Sequence, residues 1–257
     1  MAGIIEHWSH SLATIVAQLT TAIIDFVYPP ACLLCRGAVD MGGSVFCETC
    51  QAGLKHALNE ECPRCGAPVG LYVDLKKGCG QCRTESFAFD RVIRLGVYDG
   101  GMRLACLRAK ADSGSSVARG LADALVNAKQ ALFVEHNFDL VIPIPEHWTR
   151  RFLHRHYAAE TISRQVSRRL RLGYDRTNLM KSRRTPKQAT STKALRRQQQ
   201  QGSFQVRRPK HLKGKSILLI DDILTTGSTA SAAARTLKQA GAKRVVVVVI
   251  AVSPLRK

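Results

Sequence analysis

The segment from Ser216 to Thr229 constrains the fold more strongly than any other part of the sequence. An apolar run of strand length, Ile217 to Ile220, is followed by two carboxylates, by small hydroxyl residues around one glycine and by an alanine-rich run. A strand that leads through a loop into a helix brings free backbone amides and the positive end of a helix dipole to the carboxyl edge of a sheet. The hydroxyl-rich loop therefore predicts a phosphate site.

The neighbouring carboxylates of Asp221 and Asp222 predict a second part of the same ligand, because they would repel a phosphate at close range. Carboxylates accept hydrogen bonds from vicinal hydroxyl groups and bind a hydrated Mg²⁺ ion. The two halves together predict a ribose 5-phosphate. A Walker B strand has the same pattern, but its partner loop is not matched, since Pro209 stands where the first glycine should precede Gly214-Lys215-Ser216.

Eight of the nine cysteines form four C-x-x-C pairs. One tight turn can direct both thiolates of a pair at one ion, and two such turns complete the tetrahedral coordination of Zn²⁺ without leaving a position for water. We therefore predict two structural zinc ions, with glycines at 37, 66 and 80 where such turns often need a positive φ. A sequential partition keeps each site local, and a cross-braced one stays open. The sequential ligand sets are Cys32, Cys35, Cys47 and Cys50, and Cys62, Cys65, Cys79 and Cys82.

The formal charge of +20 is concentrated in one segment. Residues 141–215 contain 20 Lys or Arg but only three acidic residues. Such a segment attracts polyanions, whether nucleic acid, pyrophosphate or an acidic membrane, or serves as a solvated surface that aids solubility. Within it, residues 181–201 have almost no apolar anchor and predict a mobile basic loop that acts as a linker or a lid.

Periodicity divides the chain into three regions. Residues 1–28 predict an amphipathic helix that ends before Pro29-Pro30 and packs on the following domain or binds a partner. Residues 29–86 hold the double zinc ribbon, and residues 87–257 alternate strands and helices, which favours a mainly parallel sheet. The predicted strands are Phe89–Val97, Leu140–Ile144, Gly202–Val206, Ser216–Ile220 and Arg244–Val252, and the predicted helices include Met102–Lys110, Val117–Leu132 and Ala230–Ala240.

The apolar positions of the first helix are interrupted by charged and polar residues. No uncharged apolar run reaches the length of about 18 residues that predicts a membrane-spanning helix. The start of the sequence also lacks a basic leader and a small-residue cleavage site. We therefore expect a cytoplasmic protein that is neither exported nor membrane-spanning.

The run Ile217 to Thr229 resembles the PRPP (5-phosphoribosyl 1-pyrophosphate) motif of type I phosphoribosyltransferases, and most of the chain resembles the ComF family. That family joins an amino-terminal zinc ribbon to a phosphoribosyltransferase-like domain and is linked in some bacteria to natural transformation. The resemblance implies an α/β fold of the type I phosphoribosyltransferase class, with a mainly parallel sheet and flanking helices, preceded by a helix and a small double zinc ribbon. It rests on Tyr28-Pro29-Pro30-x-Cys32-x-x-Cys35, Cys62-Pro63-x-Cys65-Gly66, Lys110, Pro143-Ile144-Pro145, Arg184-Thr185 and Asp221 to Thr229.

The resemblance also implies roles for individual residues. Asp221 and Asp222 would hold the ribose hydroxyls with Mg²⁺, and Lys110 would face the pyrophosphate. The 5-phosphate would be wrapped by Thr225, Thr226, Gly227, Ser228 and Thr229. Basic residues of the mobile loop would close over the departing pyrophosphate: Arg183, Arg184, Lys187, Arg196 and Arg197. The candidate catalytic residues are Asp222, Arg183 and Arg184.

Two departures from the family pattern are visible. Many members carry Arg-Gly-Phe-Asn-Gln where this chain has Arg155-His156-Tyr157-Ala158-Ala159, which removes an amide pair that could contact a ligand. An asparagine that commonly precedes a Gly-x-Phe turn is replaced within Gln198 to Gln201.

Three functions remain open at this point. The first is a ComF-type protein that binds PRPP with Mg²⁺ and single-stranded DNA, acts in DNA uptake and natural transformation (competence), and works with DNA-uptake or recombination proteins. The second is an active phosphoribosyltransferase, in which an unknown nitrogen nucleophile of nucleobase metabolism or salvage displaces pyrophosphate from PRPP. The third is a regulator or scaffold with a vestigial site. No acceptor pocket is recognisable in the sequence, so we rank the first above the second.

Overall fold

The computed structural model describes residues 30–39, 44–55, 60–70, 73–76, 78–146, 156–181 and 203–253. The predicted helix over residues 1–28 lies outside these ranges, as does the predicted mobile loop after Lys181. The chain divides into two compact units, Met1–Glu48 and Thr49–Lys257. The larger unit contains the Ser216–Thr229 segment and the second set of cysteine pairs.

The larger unit is built on a five-stranded parallel sheet in the order β1-β7-β6-β2-β3. A separate antiparallel pair is formed by β4 and β5. In chain order the strands are β1 (Arg91–Val97), β2 (Leu140–Pro143), β3 (Gly173–Tyr174), β4 (Leu179–Lys181), β5 (Phe204–Val206), β6 (Ser216–Leu224) and β7 (Arg244–Val252). The predicted parallel sheet is confirmed.

Helices cover both faces of this sheet, as the fully apolar strands require. Consecutive valines of β7, from Val245 to Val249, are all completely buried because their side chains alternate between two covered faces. The helices are α1 (Glu48–Lys55), α2 (Gly100–Lys110), α3 (Ser115–Ala128), α4 (Gln130–Glu135), α5 (Ala158–Leu170) and α6 (Ser228–Gln239), with a 3₁₀ turn at Pro209–Leu212. Helices α3 and α5 pack on each other and on the sheet, whereas α6 packs on β5, β6 and β7.

Most predicted element bounds differ from the structure by one or two residues, and two elements differ by more. The helix predicted over Val117–Leu132 is two helices, α3 and α4, that meet at Lys129. The central strand β6 continues past Ile220 to Leu224, since Asp221 still pairs with Val249 and Ile223 with Ala251 on β7. The acidic residues therefore lie within the paired strand, and their backbone is fixed by β7.

One further observation concerns membranes. Among the described ranges, no helix combines the length and the apolar character that crossing a bilayer needs.

Candidate functional site

The acidic pair lies near the carboxyl end of β6, where a lysine from another element meets it. Lys110, the last residue of α2, places its Nζ atom 2.9 Å from Oδ2 of Asp222. The backbone N–H of Asp222 donates to Oδ1 of Asp221 (2.9 Å), and the N–H of Ile223 donates to Oδ1 of Asp222 (2.7 Å). Both carboxylates are thus oriented by their own strand.

The charges at this site are strongly coupled. Burial, and then the charge on Asp222, raise the pKa of Asp221 well above its ordinary value. Burial opposes the charged form of Lys110, but the two carboxylates outweigh it and raise the lysine's pKa. The group is therefore a compact arrangement of two acids and one cation, in which burial and the charge on Asp222 favour the protonated form of Asp221.

The hydroxyl loop follows directly and leads into α6. Gly227 adopts a left-handed φ of 73°, and α6 begins at Ser228 without a side-chain cap. Oγ1 of Thr226 lies 2.8 Å from Oγ of Ser228. The N–H of Ser228 donates to Oγ1 of Thr226 (3.4 Å), and a helix start without a side-chain cap leaves the amides that follow available to an anion. The loop therefore has the geometry of a phosphate site, with Thr225 exposed and Gly227 buried.

The departure from the family pattern at His156-Tyr157 has a structural role that sequence reasoning missed. His156 donates from Nε2 to the carbonyl oxygen of Ala109 (2.8 Å), the residue before Lys110. The hydroxyl of Tyr157 donates to the carbonyl oxygen of Ile144 (2.7 Å). Burial, and then the charges on the acidic pair, raise the pKa of Tyr157 well above its ordinary value, so its hydroxyl stays a donor. These side chains tie the end of α2 and the end of β2 to the start of α5.

A narrow cleft lies beside the hydroxyl loop, and its other wall comes from the cysteine-rich region of the same unit. Its volume is about 30 Å³, which is room for one or two water molecules. The lining residues from the loop side are Leu224, Thr225, Thr226, Gly227 and Ser228. The opposite wall includes Cys65, Gln81, Cys82, Glu85 and Phe87. Nothing in the sequence pattern indicated that the cysteine-rich region lies next to the hydroxyl loop.

The eight paired cysteines form two clusters that follow the sequential partition. Within each cluster all four Sγ atoms lie within 4.8 Å of one another. Individual separations are 3.5 Å for Cys35 and Cys47, 3.7 Å for Cys62 and Cys82, and 3.6 Å for Cys65 and Cys79. A tetrahedral Zn²⁺ with Zn–S bonds of about 2.3 Å has S···S edges of about 3.8 Å, so both clusters fit the ion. With four thiolates each, both are structural sites without an open position for water.

The first cysteine pair of each cluster lies in a turn of the same geometry. Cys32 donates its N–H to the carbonyl of Gly37 (2.7 Å), and Cys62 donates to that of Ala67 (2.9 Å). The positive φ values in these turns occur at Arg36 (65°) and Gly66 (73°). The expectation for residue 66 is therefore confirmed, but those for residues 37 and 80 are wrong. The residue that follows the second cysteine carries the left-handed turn, and in the first ribbon that residue is an arginine.

Most of the predicted ligand-binding residues lie near the carboxyl end of β6. Lys110 contacts Asp222, and the hydroxyl loop continues the strand that carries both carboxylates. The predicted pyrophosphate clamp falls outside the described residues: Arg183, Arg184, Lys187, Arg196 and Arg197. The contributions of His156 and Phe87 were not predicted, because a hydrogen bond across 47 residues and an aromatic contact across 140 leave no local pattern.

Two family models match the chain. Residues 157–256 match the phosphoribosyl transferase domain, and residues 23–83 match the double zinc ribbon domain. Among curated proteins there is no match.

Several solved structures are similar to this chain at low identity. The "allosteric regulatory enzyme of purine biosynthesis" is 19% identical over 53% of this chain and 26% of its own (TM-score 0.37). Glutamine PRPP amidotransferase from B. subtilis is 18% identical over 58% and 27% (TM-score 0.34). Adenine phosphoribosyltransferase from Saccharomyces cerevisiae is 18% identical over 54% and 69% (TM-score 0.35). The chain thus spans about a quarter of the length of the first two.

The two family models agree with the structure. The phosphoribosyl transferase model agrees with the parallel sheet and with the acidic pair and its hydroxyl loop, and the double zinc ribbon model agrees with the two cysteine clusters. Residues 157–256, which match the phosphoribosyl transferase domain, contain the acidic pair and the hydroxyl loop, and residues 23–83, which match the double zinc ribbon domain, contain all eight paired cysteines.

Proposed function

We propose that this protein binds PRPP together with Mg²⁺ at the carboxyl end of β6 and, as a ComF-type protein, handles single-stranded DNA during uptake and natural transformation. The observation that carries the proposal is the contact between Lys110 and Asp222 immediately before the hydroxyl loop. This arrangement offers a cation, two carboxylates and a helix start to one ligand. PRPP has a matching pyrophosphate, ribose diol and 5-phosphate.

The residues divide the ligand among them by charge. Asp221 and Asp222 accept hydrogen bonds from the ribose hydroxyls and hold the hydrated Mg²⁺ ion, which supplies positive charge to the pyrophosphate. Lys110 leaves Asp222 for the pyrophosphate oxygens as the ligand enters. The loop from Thr225 to Thr229 donates backbone and hydroxyl hydrogens to the 5-phosphate. Arg183 and Arg184 would close over the pyrophosphate from the loop that contains them.

Calorimetry with PRPP, with and without Mg²⁺, tests the ligand. We expect saturable binding that Mg²⁺ strengthens, and Asp222→Asn should weaken it more than about tenfold because each charge-assisted hydrogen bond contributes roughly 1.5–3 kcal/mol. Asp123→Asn is the matched control, since this carboxylate of α3 bonds Arg169 and Gln165 of α5 and belongs neither to the acidic pair nor to the hydroxyl loop. Absence of PRPP binding by the unaltered protein would refute the proposal.

The nucleic-acid part is supported by the positive charge of α5 and of the segments that follow it. Described residues 156–181 and 203–215 contain eleven Lys or Arg and two acidic residues. Those that are exposed include Arg168, Arg171, Arg207, Lys210 and Lys213. A surface with such an excess binds the phosphate backbone and releases counterions, so its affinity falls steeply with salt.

Filter binding of single-stranded DNA across roughly 50–200 mM salt measures this part. The double variant Arg207→Ala/Lys210→Ala should weaken binding and reduce the slope of log affinity against log salt by about one to two. Arg119→Ala, an exposed arginine on α3, is the control. Binding that does not depend on salt would contradict an electrostatic interface. DNA-uptake or recombination proteins are the partners that this role implies.

The second function, transfer of the phosphoribosyl group to a nitrogen nucleophile, is favoured by the completeness of the donor side. Asp221, Asp222, Lys110 and the hydroxyl loop are all in place. Release of pyrophosphate from PRPP with a panel of nucleobases tests it, and a protein that binds PRPP but stays silent across the panel supports the first function. Unchanged biological function of Asp222→Ala would instead favour a regulator with a vestigial site.

We place the protein in the cytoplasm, where a reducing environment keeps cysteine pairs available to zinc.

A further inference from the structure

The cleft beside the hydroxyl loop joins two sites that the proposed function keeps separate. Cys65 and Cys82, two of the cysteines of the second cluster, line it from one side. Thr225, Thr226 and Ser228 line it from the other. The second zinc ribbon, residues 60–83, is therefore a wall of the phosphate loop and belongs to the same compact unit.

Phe87 connects the two walls. Its ring packs against the cysteine cluster and also against the core beneath the sheet. It stacks on Phe89 with a centroid distance of 4.7 Å. A Cβ atom added to Gly227 would lie 3.0 Å from Cε1 of Phe87, so the ring lies directly against the loop's left-handed residue. The aromatic side chain thus limits the positions that Gly227 can take.

Hydrogen bonds hold the segment that carries Phe87 in place at both ends. The N–H of Ala88 donates to Oγ of Ser231 in the first turn of α6 (3.0 Å). Toward the ribbon, Arg64 donates from Nη2 to the carbonyl of Glu85 (2.5 Å). A shift of the ribbon would therefore be transmitted to the helix start that forms the phosphate site.

The ribbon is in turn anchored to the sheet close to its cysteines. The N–H of Val92 on β1 donates to the carbonyl of Pro63 (2.9 Å), within the first turn of the cluster. A Cβ on Gly66 would lie 2.8 Å from Val92 and 2.9 Å from Val252, so the ribbon backbone packs tightly on β1 and β7. Such close packing leaves no space for the turn to move independently of the sheet.

We propose that the second zinc ribbon is a structural component of the phosphate site. Phe87 is the positioning residue that holds Gly227. Through this contact, metal occupancy of the cluster is coupled to phosphate affinity; the cluster consists of Cys62, Cys65, Cys79 and Cys82. The inference rests on the proposed function of the loop and deepens it. It assigns to one ribbon a role in ligand binding and leaves the other outside that role.

The first test compares Phe87→Ala with Phe133→Ala, a buried phenylalanine of α4 that provides the same loss of side chain. Hydrogen–deuterium exchange is followed on peptides that cover residues 224–229, and PRPP affinity is measured in parallel. Phe87→Ala should increase exchange in the loop and weaken PRPP binding about tenfold or more, while Phe133→Ala changes neither beyond its effect on the melting temperature. Unchanged loop exchange in Phe87→Ala would overturn the proposal. Should that variant fail to fold, Phe87→Leu keeps the core filled and is read in the same way.

The second test removes the metal from one ribbon at a time. Cys79→Ser and Cys47→Ser are matched changes at the first cysteine of the second pair in each cluster, and metal content is measured by mass spectrometry. Faster exchange of the loop in Cys79→Ser, but not in Cys47→Ser, supports the coupling. Equal exchange in both variants overturns it. If the unaltered protein binds no PRPP, the proposed ligand is refuted, whereas the exchange measurement still decides whether the ribbon holds the loop.

Discussion

The two zinc ribbons have the same turn and different surroundings. In the first, Cys35 is exposed and Cys47 and Cys50 are half-buried, whereas all four cysteines of the second are buried. Each residue of the first turn has an equivalent thirty residues later in the second turn. The two turns have equivalent backbone hydrogen bonds, and each is closed by a β-bridge, Ala31 with Ala38 and Glu61 with Pro68. The same local motif thus forms a cluster of four cysteines in both, and in the second ribbon this cluster also lines the cleft beside the hydroxyl loop.

The largest difference between the ribbons is expected on loss of a zinc ligand. Cys32→Ser and Cys62→Ser replace equivalent buried residues, and each should lower the zinc content from two ions to one. Structural zinc contributes roughly 10–16 kcal/mol to folding of small domains. In Cys62→Ser the loss of zinc affects the sheet through Val92, so we expect the melting temperature of the main transition to fall by many degrees. In Cys32→Ser we expect that melting temperature to change by only a few degrees. Equal melting temperatures of the two variants would contradict the expected difference between the ribbons.

The next largest effect concerns the ion pair that anchors the second ribbon. Arg94 on β1 is fully buried, with Nε 3.4 Å from Oε2 of Glu61, and Lys129 reaches the same oxygen at 3.1 Å. Arg94→Met should destabilise the protein by about 3 kcal/mol, because removal of one partner of a buried pair typically costs roughly 3–5 kcal/mol and Lys129 compensates in part. The equivalent of Glu61 in the first ribbon is Ala31, which has no charge. Chemical denaturation measures the change, and a loss below about 1 kcal/mol would show that the pair does not anchor the ribbon.

An effect of similar size is expected at the left-handed residue of the second turn. Gly66→Ala introduces a Cβ within 2.9 Å of Val92 and Val252 at a φ of 73°. Overpacking and backbone strain together should lower the free energy of unfolding by about 2–4 kcal/mol. Gly70→Ala is the control, since a Cβ there meets no atom within 4 Å. A neutral Gly66→Ala would mean that the ribbon backbone is less closely packed on the sheet than the distances indicate.

The smallest effect has the opposite sign. Arg36 occupies in the first ribbon the position that Gly66 occupies in the second, and its φ of 65° is unfavourable for a residue with a Cβ. Arg36→Gly should therefore leave stability unchanged or raise it by up to about 1 kcal/mol. Zinc affinity in competition with a chelator is the measurement, because local relief of strain acts on the metal site first. A marked loss of affinity would contradict the equivalence of the two turns.

Local patterns predicted those features that depend on residues close in sequence. The partition of the cysteines follows from two-residue gaps and short connections, and the strand, acidic pair and hydroxyl loop are contiguous from Ser216 to Thr229. Strand bounds were less accurate at Asp221 to Leu224. Carboxylates are unfavourable in an isolated strand, and pairing with β7 keeps them in one.

Contacts between residues that are far apart in the sequence could not be predicted from local patterns. His156 was visible only as a departure from a family pattern, although it bonds the residue next to Lys110. Phe87 carried no signal of its own in the sequence, although it lies against Gly227. Neither contact leaves a periodicity, because both depend on how α5 and the ribbon pack on the sheet.

The sequence by itself determined the chemistry that this protein offers: two sets of four thiolates, two carboxylates beside a hydroxyl loop, and a strongly basic segment. These follow from residue type and short spacing. Only the tertiary structure decided which of these groups meet. The long apolar strands bury both faces of the sheet, and this packing brings Lys110 to Asp222 and the second ribbon to the hydroxyl loop. The identity of the groups is local, whereas their proximity depends on burial of surfaces that are far apart along the chain.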